Sequence, residues 1–283
     1  MLWKRLIAGP LMAAAAAGVL FADAAFAPHY PILCGLVLLV LTVCTLELVR
    51  LIPEPSRPRR AVCLLGVLGI AVTPFAEAWC GRPTKSFDFV LFAFVAAMLL
   101  AFLVEMYRYT ADGTATARVA SAAFAFAYLG VFAAFFLKLR WLDPATSGLM
   151  LAATIFVPKC GDIGAYFVGR FLGKTPFSPR ISPKKTWEGF AGAVLGAVAC
   201  GLLANALGPV FRHGWPEAVA FGVVLSVVGI LGDLAESMVK RDGLAKDASA
   251  RIPGFGGALD VVDSLLFAAP VAYLWFAVTH PTP

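Results

Sequence analysis

The sequence predicts an all-α fold, a polytopic membrane helical bundle of about nine transmembrane helices with its N-terminus in the cytoplasm. Three observations carry this expectation. Of the 283 residues, 60% are hydrophobic and only 14% are charged, where a soluble domain has about 25% charged residues. The mean hydropathy is +0.85, which implies more apolar surface than a soluble core of this size can hide. The apolar residues also fall into runs close to the roughly 20 residues that cross a bilayer, and Lys and Arg are distributed unevenly between the loops.

The runs follow one another with charged or proline-rich punctuation. The first, 6–26, follows Lys4 and Arg5, and 31–50 ends at the Pro/Arg linker 52–60, too short to mark a domain boundary. Runs 61–79 and 87–104 enclose Arg82 and Lys85, and 117–137 follows Arg108, carries Arg118 at its start and precedes Lys138 and Arg140. Run 146–170 carries Lys159 and Asp162 inside it, 189–207 follows a basic loop, and 217–239 and 258–279 flank the most charged segment. Runs 87–104 and 189–207 are the shortest, so their ends are least defined. Interior Gly and Pro are tolerated in membrane helices. No internal repeat is visible. The whole chain, 1–283, reads as a single integral membrane domain, with N-terminal helices in 1–145 and catalytic helices and cytoplasmic loops in 146–283.

With nine spans, alternate loops share a side. One side collects Lys4, Arg5, the arginines of 50–60, Arg108, Arg118 and the basic residues of both C-terminal loops. The other holds only Arg82, Lys85, Lys138, Arg140 and Arg212. The richer side is expected to be cytoplasmic, which places the C-terminus outside. The net charge of +6 then reflects topology and contact with anionic lipid. No aromatic-basic interleaving points to nucleic acid. Lys4-Arg5, an apolar stretch and Ala25-Phe26-Ala27 also fit a cleavable leader covering residues 1–27, which would leave eight spans and the later loops unchanged. The six cysteines form no CxxC pair and read as small apolar fillers.

Charge within a span is costly and marks functional candidates. Glu47, Glu77 and Glu105 lie near helix ends and are expected at the interface. Lys159 and Asp162 share a helix face, either as a neutralising pair or as a substrate or metal contact. The loop 169–190 brings Lys174, Arg180, Lys184 and Lys185 together with Ser182 and Thr186. Pro183 precedes a helix start with Glu188 in its first turn. A helix N-terminus flanked by lysines suits phosphate, although a basic loop that only sets topology has the same composition.

The strongest constellation is 232–263. Asp233, Glu236, Ser237 and Lys240 form one helix stripe, followed by Arg241, Lys246 and Asp247. Gly256 and Gly257 lie in a tight turn that lets backbone approach a ligand. Asp260 and Asp263 then share a face of the last span. Three carboxylates converging at a membrane boundary, Asp233, Asp260 and Asp263, repel one another and stay ionised most easily around a cation. Hard oxygen ligands beside lysines read as Mg²⁺-phosphate chemistry. A salt-bridged helix hairpin and an ion or proton pathway are the alternatives, though the charges sit near one face and form no ladder across the bilayer.

These residues resemble a known family. Ser237-x-x-Lys240-Arg241, then Lys246-Asp247, then Ile252-Pro253-x-x-Gly256-Gly257-x-x-Asp260-x-x-Asp263 is similar to the signature of phosphatidate cytidylyltransferases (CDP-diacylglycerol synthases). Ser182-Pro183-x-Lys185-Thr186-x-Glu188-Gly189 and Lys159-x-Gly161-Asp162-x-x-Ala165-Tyr166 resemble two further elements. The resemblance covers about 155–270. The chain departs from the pattern at Phe255, where the family has His, and at Val261, where it has Arg. Arg251, Lys246 and Lys185 could supply the missing charge.

The resemblance implies transfer of a cytidylyl group from CTP to phosphatidate, giving CDP-diacylglycerol and pyrophosphate in phospholipid biosynthesis. It implies Mg²⁺ held by Asp233, Asp260 and Asp263, with room for a second cation. Lys240, Arg241 and Lys246 would bind phosphates, with Asp247 orienting a base or joining the metal shell. Ser182, Lys185, Thr186, Ser237, Asp162, Gly256 and Gly257 would contact substrate. The expected partners are CTP, phosphatidate and the bilayer, with no nucleic acid, and a homodimer stays open. The expected location is the inner (plasma) membrane, with the site facing the cytoplasm. Competing readings are a membrane nucleotidyltransferase acting on another lipid phosphate, an ion-coupled transporter and an inactive lipid-binding paralogue.

Overall fold

The computed structural model describes residues 2–81, 86–245, 248–249 and 256–280, with backbone alone at 2–10, 12 and 13. Its helices are α1 (Leu2–Ala24), α2 (Pro31–Leu51), α3 (Arg60–Trp79), α4 (Asp88–Tyr107), α5 (Ala115–Ala125), α6 (Phe132–Lys138), α7 (Ser147–Leu172), α8 (Trp187–Leu207), α9 (Trp215–Asp242) and α10 (Leu259–Thr279). A π-helical turn, Phe126–Val131, joins α5 to α6. Among the described residues, eight segments are long and apolar enough to cross a membrane, with Ala115–Trp141 forming one of them. Each matches one of the expected runs from 31–50 onward. The first expected run lies in α1 (Leu2–Ala24), whose stretch Ala14–Ala24 is apolar among the described residues. The all-α polytopic fold follows from these lengths.

The chain forms two compact units by contact, Met1–Lys138 with Asp242–Val261, and Leu139–Arg241 with Val262–Pro283. In the first unit α3 is central, and Val67, Ile70, Ala71 and Phe75 on it are fully buried. Gly66 lets the Phe126 ring pack against the α3 backbone, a space that a Cβ would fill. Glu47 and Glu77 lie near the C-terminal ends of α2 and α3, as expected, and both are buried against protein. Glu77 pairs with Lys138 at 2.8 Å, and the Lys138 ammonium also donates to the Ser86 carbonyl at 2.6 Å. A charge held in a span requires partners of this kind. Glu105, nearer solvent, accepts from Arg118 at 2.7 Å.

In the second unit α7 and α8 meet along a seam of small residues. A Cβ on Gly164 would collide with the Gly192 carbonyl, and one on Gly192 would meet the Gly164 carbonyl at 2.6 Å. Helices in lipid associate by such close packing rather than by a hydrophobic driving force. The α9 glycines have the same role. A Cβ on Gly229 would stand 3.1 Å from Pro158, and one on Gly232 would stand 2.7 Å from the Asp263 carbonyl. These contacts bring α7, α9 and α10 together at the level of their charged residues. Between α7 and α8 the sequence pattern showed no strand, yet β1 (Pro176–Ser178) pairs antiparallel with β2 (Ser182–Thr186). Phe177 packs on Trp187 and Phe190, with ring centroids 4.6 and 5.7 Å away, and this anchors the hairpin to the start of α8.

Candidate metal and phosphate site

The site lies in the second unit and takes side chains from α7, β2, α9 and α10. On α9 the stripe read from the sequence bonds to itself. Ser237 donates to Asp233 at 3.4 Å, and the Lys240 ammonium donates to Glu236 at 2.5 Å. Lys185 of β2 pairs with Asp233 at 2.7 Å and reaches the Ile230 carbonyl at 3.4 Å. Lys159 of α7 lies between two acids, 3.2 Å from Asp162 and 3.3 Å from Asp263. Ser264 donates its hydroxyl to Asp162 at 3.2 Å and its N–H to Asp263 at 2.6 Å. Four carboxylates and three lysines thus interleave in one place.

Among the described residues, three of these acids, Asp233, Glu236 and Asp263, bring ligand oxygens within 4.8 Å of one another. Opposite ligands of Mg²⁺ stand about 4.2 Å apart, twice the Mg–O distance. A small contraction of the three side chains would therefore enclose the ion, and their hard oxygens suit it. Glu236 and Asp263 are buried while Asp233 is partly open, so the cluster keeps a solvent-facing side where water or phosphate oxygens could complete a shell. The residues present fit a divalent cation.

The remaining expected site residues fall in several places. Asp162 borders the cluster through Lys159 and Ser264. Arg241 is exposed at the end of α9. Ser182 begins β2, and Thr186 caps α8 by accepting the Gly189 N–H at 3.1 Å. The N–H groups expected to be open to phosphate at this helix start are thus partly committed. Glu188 accepts from the N–H groups of Lys174 and Thr175 at 3.1 and 3.2 Å. In the first unit, the Asp260 Oδ2 accepts the Ala248 and Gly257 N–H groups at 3.0 and 2.6 Å, which orders the Gly256-Gly257 turn. Lys246, Asp247, Arg251 and Phe255 lie outside the described residues.

Three contributors, Lys159, Glu236 and Ser264, are given no metal or substrate role by the resemblance. Lys159 and Glu236 were legible as partners of Asp162 and Lys240 at helical spacing, but their convergence on Asp263 and Asp233 was not. Ser264 gave no signal, being one polar residue in an apolar run.

The sequence model of the cytidylyltransferase family matches residues 3–279. The chain belongs to the cytidylyltransferase family. Three relatives carry the name phosphatidate cytidylyltransferase. One from Brucella suis biovar 1 (strain 1330) is 49% identical over 117 residues, 41% of this chain and 43% of the relative. One from Synechocystis sp. is 40% identical over 148 residues, covering 50% and 48%. One from Haemophilus influenzae is 38% identical over 164 residues, covering 55% and 57%. The chain spans about half the length of the relatives it matches.

Proposed function

We propose that this chain transfers the cytidylyl group of CTP to phosphatidate, giving CDP-diacylglycerol and pyrophosphate. The observation that carries this reading is the interleaving of Asp233, Glu236 and Asp263 with Lys159, Lys185 and Lys240. Family membership and the names of the relatives support it.

In the proposed reaction a phosphate oxygen of phosphatidate attacks the α-phosphorus of CTP. The bond from that phosphorus to the bridging oxygen of the β-phosphate breaks, and pyrophosphate leaves with the bonding pair. The nucleophile is a phosphate monoester, largely dianionic near neutral pH because its second pKa is about 6. No side chain has to remove a proton. What the reaction requires is that two anions be brought together and a third released, which is a matter of positioning and charge.

Asp233, Glu236 and Asp263 would hold the divalent cation, which when bound supplies charge neutralisation at the phosphate oxygens. Lys185 and Lys159 then move from their carboxylate partners toward phosphate. Each already holds a carboxylate at ion-pair distance, the interaction it would exchange for a phosphate. Lys240 orients Glu236, and Arg241 binds phosphate from the exposed end of α9. Ser182, Thr186, Ser237 and Asp162 line the polar wall. Lys246 and Asp247 keep the roles the resemblance implies. In this reading the site faces the cytoplasm from the inner membrane, where CTP is available.

The deciding experiment measures pyrophosphate release from CTP by the full chain in nanodiscs, with Mg²⁺, against phosphatidate and an isoprenoid phosphate. Release with phosphatidate is expected. Release with the isoprenoid phosphate alone would move the reading to another lipid substrate. No release with either, together with solute flux in proteoliposomes, would replace it with transport.

A further inference from the structure

Glu47 sits on α2 in the first unit, and its side chain is fully buried. A carboxylate within a membrane-spanning helix is costly unless its oxygens are satisfied. Both oxygens of Glu47 bond to one short stretch far along the chain. Oε1 accepts the Ser249 hydroxyl at 2.6 Å, and Oε2 accepts the Leu259 N–H at 2.9 Å. Leu259 is the first residue of α10, and its N–H is one of the four that a helix start leaves without an internal partner. Glu47 therefore caps α10 from another helix, where a negative charge also suits the helix dipole.

The turn before α10 is shaped around this carboxylate. Gly256 has a φ of +95°, a conformation that glycine adopts without strain. A Cβ on Gly257 would stand 2.5 Å from the Glu47 Oε2, so the close approach requires glycine there. On the same stretch, Asp260 holds the Ala248 and Gly257 N–H groups. Two carboxylates, one local and one from α2, thus hold Ala248, Ser249, Gly257 and Leu259.

We infer that Glu47 is a positioning residue for the cytidylyl transfer: it fixes the Gly256–Leu259 turn and the start of α10, four residues before Asp263. The inference rests on the function proposed above. Glu47 touches neither substrate nor metal in this role. It removes freedom from backbone that the reaction needs in place, and preorganisation of this kind lowers the barrier without adding a contact.

The test compares Glu47→Leu, Glu47→Gln and Ser249→Ala in nanodiscs by steady-state kinetics, thermal unfolding and amide hydrogen exchange at Leu259. Glu47→Leu is expected to lower kcat about tenfold or more, equivalent to one lost buried hydrogen bond. The KM for CTP should change little, and exchange at Leu259 should quicken. Glu47→Gln, which keeps one acceptor, should recover part of the loss, and Ser249→Ala should show the smaller defect. A folded Glu47→Leu protein with wild-type kcat overturns the positioning role. Unchanged exchange at Leu259 overturns the anchoring, whatever the kinetics. If Glu47→Leu fails to fold, Glu47→Gln and Ser249→Ala carry the same two readouts. A wild-type protein with no turnover refutes the functional reading, and exchange at Leu259 then still decides whether Glu47 anchors the turn.

Discussion

At the scale of single residues, the site is a set of ion pairs that no carboxylate can leave cheaply. Asp263 has Lys159 at 3.3 Å and the Ser264 N–H at 2.6 Å. Asp263→Asn keeps the shape and removes the charge. It is expected to lower Mg²⁺-dependent turnover by about 100-fold or more, the scale of losing one preorganised electrostatic contact. Pyrophosphate release over a Mg²⁺ titration checks this, and near-normal turnover would remove Asp263 from the metal set. The Glu77–Lys138 pair is buried on both sides, at 2% and 4% side-chain exposure. Lys138→Met is expected to destabilise by about 3–5 kcal/mol because it strips the charge partner from Glu77. Glu77→Leu with Lys138→Met should recover most of that, as thermal unfolding in detergent would reveal. Equal melting of Lys138→Met and wild type would mean the pair adds no stability.

At the scale of elements, the α7–α8 seam depends on glycine more than on any large side chain. Gly164→Leu forces a side chain onto the Gly192 carbonyl. It is expected to cost about 1–3 kcal/mol as overpacking, whereas Gly69→Leu, facing open space, should cost little. Comparing the melting temperatures of the two variants tests the seam. The small hairpin is the element least legible in the sequence. Lys184-Lys185-Thr186 read as a basic loop because nothing in the run alternates polar with apolar. The hairpin forms because Phe177 finds Trp187 and Phe190, contacts between residues on either side of the turn. The helix stripe Asp233, Glu236, Ser237 and Lys240 was legible, since 3.6-residue periodicity is a local property of the chain.

At the scale of the whole molecule, the described residues hold eight apolar helices of membrane-spanning length, separated by loops whose basic residues favour one side. The positive-inside rule is the ground for proposing a site on the cytoplasmic side. In a Cys80→Ser background, Lys184→Cys should resist a membrane-impermeant maleimide in intact spheroplasts and react in inverted vesicles. Labelling in intact spheroplasts would reverse the orientation.

The sequence by itself determined the spans, the family signature and the acids and bases available for chemistry. Each of these depends on hydropathy or spacing within about twenty residues. It could not decide which of them meet. Lys159 reaches Asp263 across 104 positions, and Glu47 reaches Ser249 and Leu259 across 202 and 212. Those pairings depend on close packing, to which the α9 glycines contribute against Pro158 and Asp263, and Gly257 against Glu47. Asp260 shows the difference most clearly. Its spacing put it in one set with Asp233 and Asp263, and only the tertiary structure shows that its Oδ2 accepts the Ala248 and Gly257 N–H groups and that Glu236 stands beside those two acids, because packing decides which oxygen faces which neighbour.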